Sequence, residues 1–191
     1  DDGLVGYNTD GYGFVTALQE SFGTQVDGDR IFVLGCGGAG RATALLAARE
    51  GASSIVLADL DGDRMERLAG EIHVQAPSVC VEQVRGREAQ VEACRGCDLV
   101  VQASPVGMKR EDESLLPSAA FHADQRVFDL IYMYPETAIL SVAREAGAAV
   151  ANGLGMLLHQ GARAFTIWTE EEPDVDVMRR SLEEAVYGSG E

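Results

Sequence analysis

The residues best suited to chemistry form a glycine-rich turn, Gly35-Cys36-Gly37-Gly38-Ala39-Gly40, set between an apolar run and a helix-period segment. The spacing is G-x-G-x-x-G. Gly35 permits a tight turn, Gly37 lets a pyrophosphate approach the backbone, and Gly40 lets the helix lie close to the strand. Gly38 and Ala39 complete the cradle, and the helix that follows would aim unpaired N–H groups at the phosphates. A second apolar run ends at Asp59, nineteen residues beyond Gly40. A carboxylate there can accept hydrogen bonds from an adenosine ribose. It would repel a 2′-phosphate by about 1 to several kcal/mol across the plausible dielectric range. Leu60 and Asp61 follow, where an NADP site would want Arg or Ser/Thr, so NAD is expected over NADP. Arg64 can swing toward a phosphate, but as a helix residue it is expected to face solvent. Asp59 has a second reading as the cap of a helix over 61–73.

The elements that must position this turn are legible as alternating short apolar runs and helix-period segments. Strands are expected over 30–35, 54–59, 79–84, 98–102, 126–131 and 148–151. Helices are expected over 10–22, 38–50, 61–73, 87–94, 136–146, 153–169 and 174–187. Such alternation predicts an α/β fold, a Rossmann-like doubly wound parallel sheet of about six strands. Gly51, Gly86 and Gly147 fall near helix ends, where a residue tolerating positive φ is useful. Two parts stand outside the repeat. The opening Gly6-Tyr7-Asn8-Thr9-Asp10-Gly11 precedes a helix and no strand, and by itself reads as an N-cap, with Thr9 or Asp10 capping the helix to Phe22. After Asn152 come two further helices, the first with Met156, Leu157, Gln160, Ala164, Phe165 and Trp168 near one stripe. A sheet covered on both faces has little room for them, so they are expected to pack on something else.

Composition narrows the function classes. At 191 residues with 46% apolar content the chain can bury a core. Its formal net charge of −16 argues against nucleic acid or anionic membrane as a partner, because phosphate binding needs clustered cations. No apolar run approaches a membrane span, and residues 1–6 lack a signal layout, so a cytoplasmic setting is expected. Cys94-x-x-Cys97, without a second pair or a nearby His, is read with Cys36 and Cys80 as ordinary reduced thiols, and no metal site is expected. His73 and His122 read as surface residues; His159 is left unassigned.

Five segments in order and spacing carry a more specific signal: Gly6-Tyr-Asn-Thr-Asp10-Gly, the glycine turn, Ala103-Ser-Pro-Val-Gly107-Met108, Asp129-Leu-Ile-Tyr132 with Thr137 downstream, and Asn152-Gly153-Leu-Gly-Met156-Leu-Leu-His-Gln160-Gly-Ala-Arg-Ala-Phe165. Together they resemble the shikimate and quinate/shikimate dehydrogenases from residue 3 to about 170. The resemblance implies hydride transfer between a nicotinamide cofactor and the C3 hydroxyl of shikimate, giving 3-dehydroshikimate, or of quinate. It implies Asp10 as the catalytic partner of a lysine that exchanges the proton, with Asn8 and Thr9 shaping the turn that presents it. Tyr132 and Gln160 would reach toward substrate; alone they would be a strand-end tyrosine and a solvent-facing glutamine. The cofactor would meet Ala103, Ser104, Gly107 and Met108 after the fourth strand, and Gly153 and Met156 near the nicotinamide.

Departures from that pattern shape three further expectations. The family's substrate domain, with its catalytic lysine, is not in this sequence, and Lys109, the single lysine, does not match the catalytic position. The chain alone is therefore expected to turn over little. Its parts are read as a connecting segment 1–22, a dinucleotide-binding domain 23–152, and C-terminal helices 153–191 that return toward the substrate domain, leaving Leu157, Phe165 and Trp168 partly uncovered and able to mediate homo-oligomers. Asp59-Leu60-Asp61 replaces the Asn-Arg-Thr of NADP-using members, and Pro105 follows Ser104 as a local change. The competing readings are a non-catalytic NAD-binding module for interaction or sensing, and a dehydrogenase for another cyclic polyol.

Overall fold

The structure, a computed structural model, describes residue 3 and residues 5–188. The outer ends of the expected segments 1–22 and 153–191, and part of the opening read for a signal, lie outside the described residues. Six short apolar runs form strands: β1 (Arg30–Leu34), β2 (Ser54–Ala58), β3 (Cys80–Gln83), β4 (Leu99–Gln102), β5 (Arg126–Asp129) and β6 (Ala149–Asn152). Between and around them lie α1 (Asp10–Phe22), α2 (Gly38–Arg49), α3 (Gly62–Gln75), α4 (Arg87–Arg95), α5 (Ala138–Glu145), α6 (Leu154–Thr169) and α7 (Val175–Tyr187). A short 3-10 turn at Ser118–Ala120 bridges β4 and β5. All pairings are parallel, in the order β3-β2-β1-β4-β5-β6. This is the doubly wound arrangement that the alternating pattern predicts, with its switch point between β1 and β4.

Alternate residues of each strand feed two cores. Ile31, Val33, Ile55, Leu57, Val101 and Phe128 meet helices α1, α2 and α3 on one face. Phe32, Leu34, Val56, Val100 and Val127 meet α4, the 3-10 turn and α5 on the other. Gly51, Gly86 and Gly147 do adopt positive φ at helix boundaries. Helices α2 and α3 cover only the β1–β3 half of their face, and α1 fills the other half. Its Phe14 is fully buried edge-on against Phe128, with ring centroids 5.4 Å apart, a burial worth about 1.5–3 kcal/mol.

The two late helices pack on other helices and not on the sheet, as the crowding of its faces leads one to expect. Helix α6 lies on α1, so closely that a Cβ at Gly13 would stand 2.5 Å from the Met156 carbonyl oxygen. The fully buried residues of α6 are Leu154, Leu158 and Ala162. Phe165 and Trp168 remain exposed, as foreseen, and Leu157 is half-buried. Helix α7 buries no residue completely; it packs on α6 and has polar ties from Tyr187 to Asn152 and from Arg179 to Glu20. Among the described residues no helix is long and apolar enough to cross a membrane.

Candidate active site

The carboxyl ends of β1, β2 and β4 open onto a cleft of about 450 Å³, lined by the glycine turn, Asp59, Arg64 and the loop after β4. Its floor explains four glycines. Gly35 has φ of 103°, and a Cβ there would meet Ser104 N at 2.7 Å. A Cβ on Gly40 would collide with the Gly35 carbonyl, so helix and strand touch backbone to backbone. Over Gly37 and Gly38 there is open space. No side chain caps α2, which leaves its first N–H groups for an anion. Glycine cradle, open helix end and cleft together fit the diphosphate of a dinucleotide.

Asp59 anchors the turn from the side. Its Oδ2 accepts the Cys36 N–H at 2.6 Å and its Oδ1 the Asp61 N–H at 2.8 Å. The helix-cap reading of Asp59 is not what forms: Asp61 caps α3, accepting from the N–H groups of Asp63 and Arg64. Arg64 is exposed, as expected of a helix residue, and it also lines the cleft, with its Nε 3.1 Å from Asp61 Oδ2. A hollow of about 300 Å³ beside the glycine turn gathers Arg41, Arg64 and Arg67 with Glu71; Arg41 pairs with Glu71 at 2.6 Å. Sequence reading overlooked this cluster because its three arginines come from two helices. Burial, with Asp59 nearby, pushes the Cys36 thiol up to about 12, which keeps it protonated in the turn. Cys97 is likewise pushed up to about 11 by burial, and Cys94 is raised too.

On the other half of the edge, the last residues of three neighbouring strands stand in register: Gln102, Asp129 and Asn152. Each holds the loop that follows its own strand. Gln102 donates to Ser104 Oγ at 2.9 Å and the Val106 carbonyl at 2.7 Å, folding Ala103–Met108 back on itself. Gly107, with φ of 110°, packs against Ile131, and its N–H is taken by Asp112 at 2.7 Å. Asp129 is fully buried; it accepts from the Ile131 N–H at 3.0 Å and the Thr137 hydroxyl at 2.5 Å, closing the loop that carries Tyr132. Asn152 accepts from the Leu154 N–H at 3.1 Å, starting α6, and its amide reaches the Tyr134 and Pro135 carbonyls. Tyr134 in turn donates to the Met108 carbonyl at 3.2 Å. None of these holding roles was foreseen, although the signal was present as a polar residue closing each apolar run.

The opening turn and α6 meet at the same end of the molecule. Asn8 accepts the Asp10 N–H at 2.9 Å. Thr9 stands at the N-cap of α1 but makes no cap bond; its hydroxyl donates to Gln160 Oε1 at 3.2 Å, across 151 residues. The capping expectation for Thr9 and Asp10 is thereby corrected. Gln160 is half-buried rather than solvent-facing, and Met156 and Tyr132 are half-buried as well. Gly153 needs its missing side chain for packing, because a Cβ there would strike the Leu130 carbonyl. His73 is exposed as expected, whereas His122 is half-buried, with Nε2 3.1 Å from the Arg95 carbonyl. His159 pairs with Glu20 at 3.0 Å. Among the described residues no group of His, Cys, Asp or Glu is arranged to hold a metal ion.

Comparison with known proteins adds sequence and fold relationships. The family model for the shikimate 5′-dehydrogenase C-terminal domain matches residues 153–183, and that for the saccharopine dehydrogenase NADP binding domain matches residues 31–112. The shikimate dehydrogenase (NADP(+)) of Methanopyrus kandleri is 44% identical over 185 residues, covering 94% of this chain and 62% of that protein. The crystal structure of shikimate 5-dehydrogenase from Listeria monocytogenes, in complex with shikimate and NAD, superposes with a TM-score of 0.87 at 33% identity, over 95% of this chain and 65% of that one. The 5-ketofructose reductase of Gluconobacter sp. strain CHM43 superposes with a TM-score of 0.83 at 28% identity, over 97% and 66%. The chain thus spans less than two thirds of the length of these relatives.

Proposed function

We propose, because the chain belongs to the shikimate dehydrogenase family, that it is the dinucleotide-binding part of an oxidoreductase acting on the C3 hydroxyl of shikimate or quinate. The observation that carries this reading is the bond from Thr9 to Gln160. A simple helix cap would spend that hydroxyl on its own helix. Here it joins the turn bearing Asp10 to the helix bearing Met156 and Gln160, so the residues assigned to substrate and to nicotinamide belong to one assembly.

The nicotinamide supplies a hydride acceptor or donor when bound, and the remaining work falls to side chains. The open N-terminus of α2 and the bare backbone of Gly37 and Gly38 receive the diphosphate. Ala103, Ser104, Gly107, Met108, Gly153 and Met156 shape the nicotinamide end. Tyr132, Asn8 and Gln160 orient the ring of the substrate. Asp10 stands at the reacting hydroxyl and shares its proton with a lysine. Lys109, the single lysine of the sequence, is exposed on the loop after β4 and is not assigned that role. Residues 1–22 then connect two domains, 23–152 bind the dinucleotide, and 153–191 return toward the substrate side.

For the cofactor, Asp59 favours NAD, since a carboxylate beside the adenosine ribose repels a 2′-phosphate. NADP is the second reading, favoured by the arginines at 41, 64 and 67 in the adjoining hollow and by the cofactor in the name of the Methanopyrus relative. A different polyol or ketose substrate is favoured by the likeness to the 5-ketofructose reductase. The test is Asp10→Asn in the full-length protein, following NADH and NADPH formation from shikimate and quinate. Turnover should fall roughly 10²–10⁴-fold, as for loss of a proton-transfer group, with dinucleotide affinity unchanged. A wild type that binds dinucleotide but oxidises neither substrate would point to the non-catalytic module or to another polyol.

A further inference from the structure

We infer that Tyr187, at the end of α7, is a positioning residue for the nicotinamide side of the site and acts through Asn152. The inference rests on the dinucleotide reading above. Its basis is the set of bonds made by one amide. Asn152 Nδ2 lies 2.8 Å from the Tyr187 hydroxyl oxygen, and 3.1 Å from the carbonyl oxygens of both Tyr134 and Pro135. Two N–H groups thus serve three acceptors: one points to Tyr187 and the other is shared by the adjacent carbonyls. The amide oxygen is committed as well, taking the Leu154 N–H at 3.1 Å. With all its bonds assigned, the Asn152 side chain has one orientation.

Each partner leads to a part of the site. Leu154 begins the helix carrying Met156 and Gln160. Tyr134 and Pro135 belong to the loop that carries Tyr132. The Tyr134 hydroxyl continues to the Met108 carbonyl at 3.2 Å, and the Arg110 guanidinium lies 4.7 Å from the centre of the Tyr134 ring. A continuous path therefore runs from Tyr187 through Asn152 and Tyr134 to Met108. Without the Tyr187 hydroxyl, one Asn152 N–H loses its acceptor in a part-buried place and competes for the two carbonyls. The loop then samples more than one arrangement. Helix α7 has a second, separate tie, because Arg179 reaches Glu20 at 2.5 Å and Glu20 also pairs with His159. Tyr187→Phe keeps the ring and that tie, and removes only the hydroxyl.

A purely structural role would affect binding of every part of the cofactor or none. Positioning of the Met108 loop affects only the nicotinamide end. The experiment compares wild type, Tyr187→Phe and Asn152→Ala by titration with ADP and with NADH or NADPH, whichever binds wild type more tightly. Loss of one hydrogen bond predicts a fall in dinucleotide affinity of roughly two- to tenfold, ADP affinity unchanged, and a double variant no worse than Asn152→Ala. Thermal melting checks that each variant is folded. Dinucleotide and ADP affinities that both hold, or that fall together in Tyr187→Phe, would overturn the role of Tyr187 while leaving the dinucleotide site intact. Failure of wild type to bind either ligand would instead overturn the dinucleotide reading, and this inference with it.

Discussion

Asp129→Asn should change how the stability of the protein depends on pH, by an amount the structure allows to be worked out. Asp129 is fully buried, and burial pushes its carboxyl from 3.8 up to about 6, outweighing the opposing bonds from Thr137 and Ile131. A folded-state value above the unfolded one means that the native protein holds the proton more tightly. The resulting stability is fully present below about 3.8 and is lost as pH rises through about 6. A shift of that size, at about 1.4 kcal/mol per pH unit, corresponds to about 3 kcal/mol. Asparagine nearly matches the shape: its oxygen can accept the Ile131 N–H and its amide can donate to Thr137, without titrating. Urea unfolding of both proteins from pH 4 to pH 8 isolates the effect, because other titrating groups cancel in the difference. Wild type should lose about 2 kcal/mol relative to the variant between pH 4 and pH 7, then run parallel to it. A difference that stays flat across this window would show that Asp129 ionises as readily folded as unfolded, and would refute the claim that burial outweighs its two hydrogen bonds.

Two further perturbations test the site's construction. Gly13→Ala puts a methyl 2.5 Å from the Met156 carbonyl; forcing α1 and α6 apart should cost about 1–3 kcal/mol in thermal or chemical unfolding, and turnover should fall by more than dinucleotide affinity because Thr9 parts from Gln160. On the proposed assignment of Asp59 to the ribose, Asp59→Asn removes a charge there and should raise the ratio of NADP to NAD affinity by roughly tenfold or more; an unchanged ratio in equilibrium titrations would assign cofactor choice to the arginine hollow instead.

Much of the sheet is written locally. Runs such as Ile31–Leu34 and Ile55–Ala58 are apolar because parallel strands are covered on both faces, and glycines at 35, 37 and 40 announce the turn. What is not local is where a helix goes. Phe14 and Leu18 declare that α1 is buried, but their partner Phe128 is more than a hundred residues away, so nothing near α1 says that it joins the layer over β4–β6. The α1–α6 interface is hidden for a related reason. Bulky Phe165 and Trp168 draw attention, yet two helices in close contact are joined through small residues, and here Gly13, Ala17 and Gly155 meet across the interface. Asp59 illustrates a third limit: its place at the end of β2 is plain from the sequence, whereas its bond to Cys36 N depends on how β1 turns beside it.

The last rung of the sheet ties these features together. Across the strands it runs Ala58, Leu34, Gln102, Asp129, Asn152, in parallel register, with all five side chains on the same face. In the half beneath the glycine turn the rung is apolar, because there the backbone itself makes the cradle and the side chains below need only pack. From Gln102 onward the following loops run 15 and 8 residues before the next element or begin a helix almost at once, and none has a glycine cradle to fix it. A polar residue at the strand end supplies what packing cannot, namely directed bonds to particular N–H and C=O groups of its own loop. Burying such residues costs desolvation unless every bond is made, and Asp129, with its raised proton affinity, retains part of that cost. The change from apolar to polar along one rung therefore divides the edge by function. On the proposed function, the half that receives the phosphate chain is built from backbone, and the half assigned to the reacting groups is built from strand-end side chains.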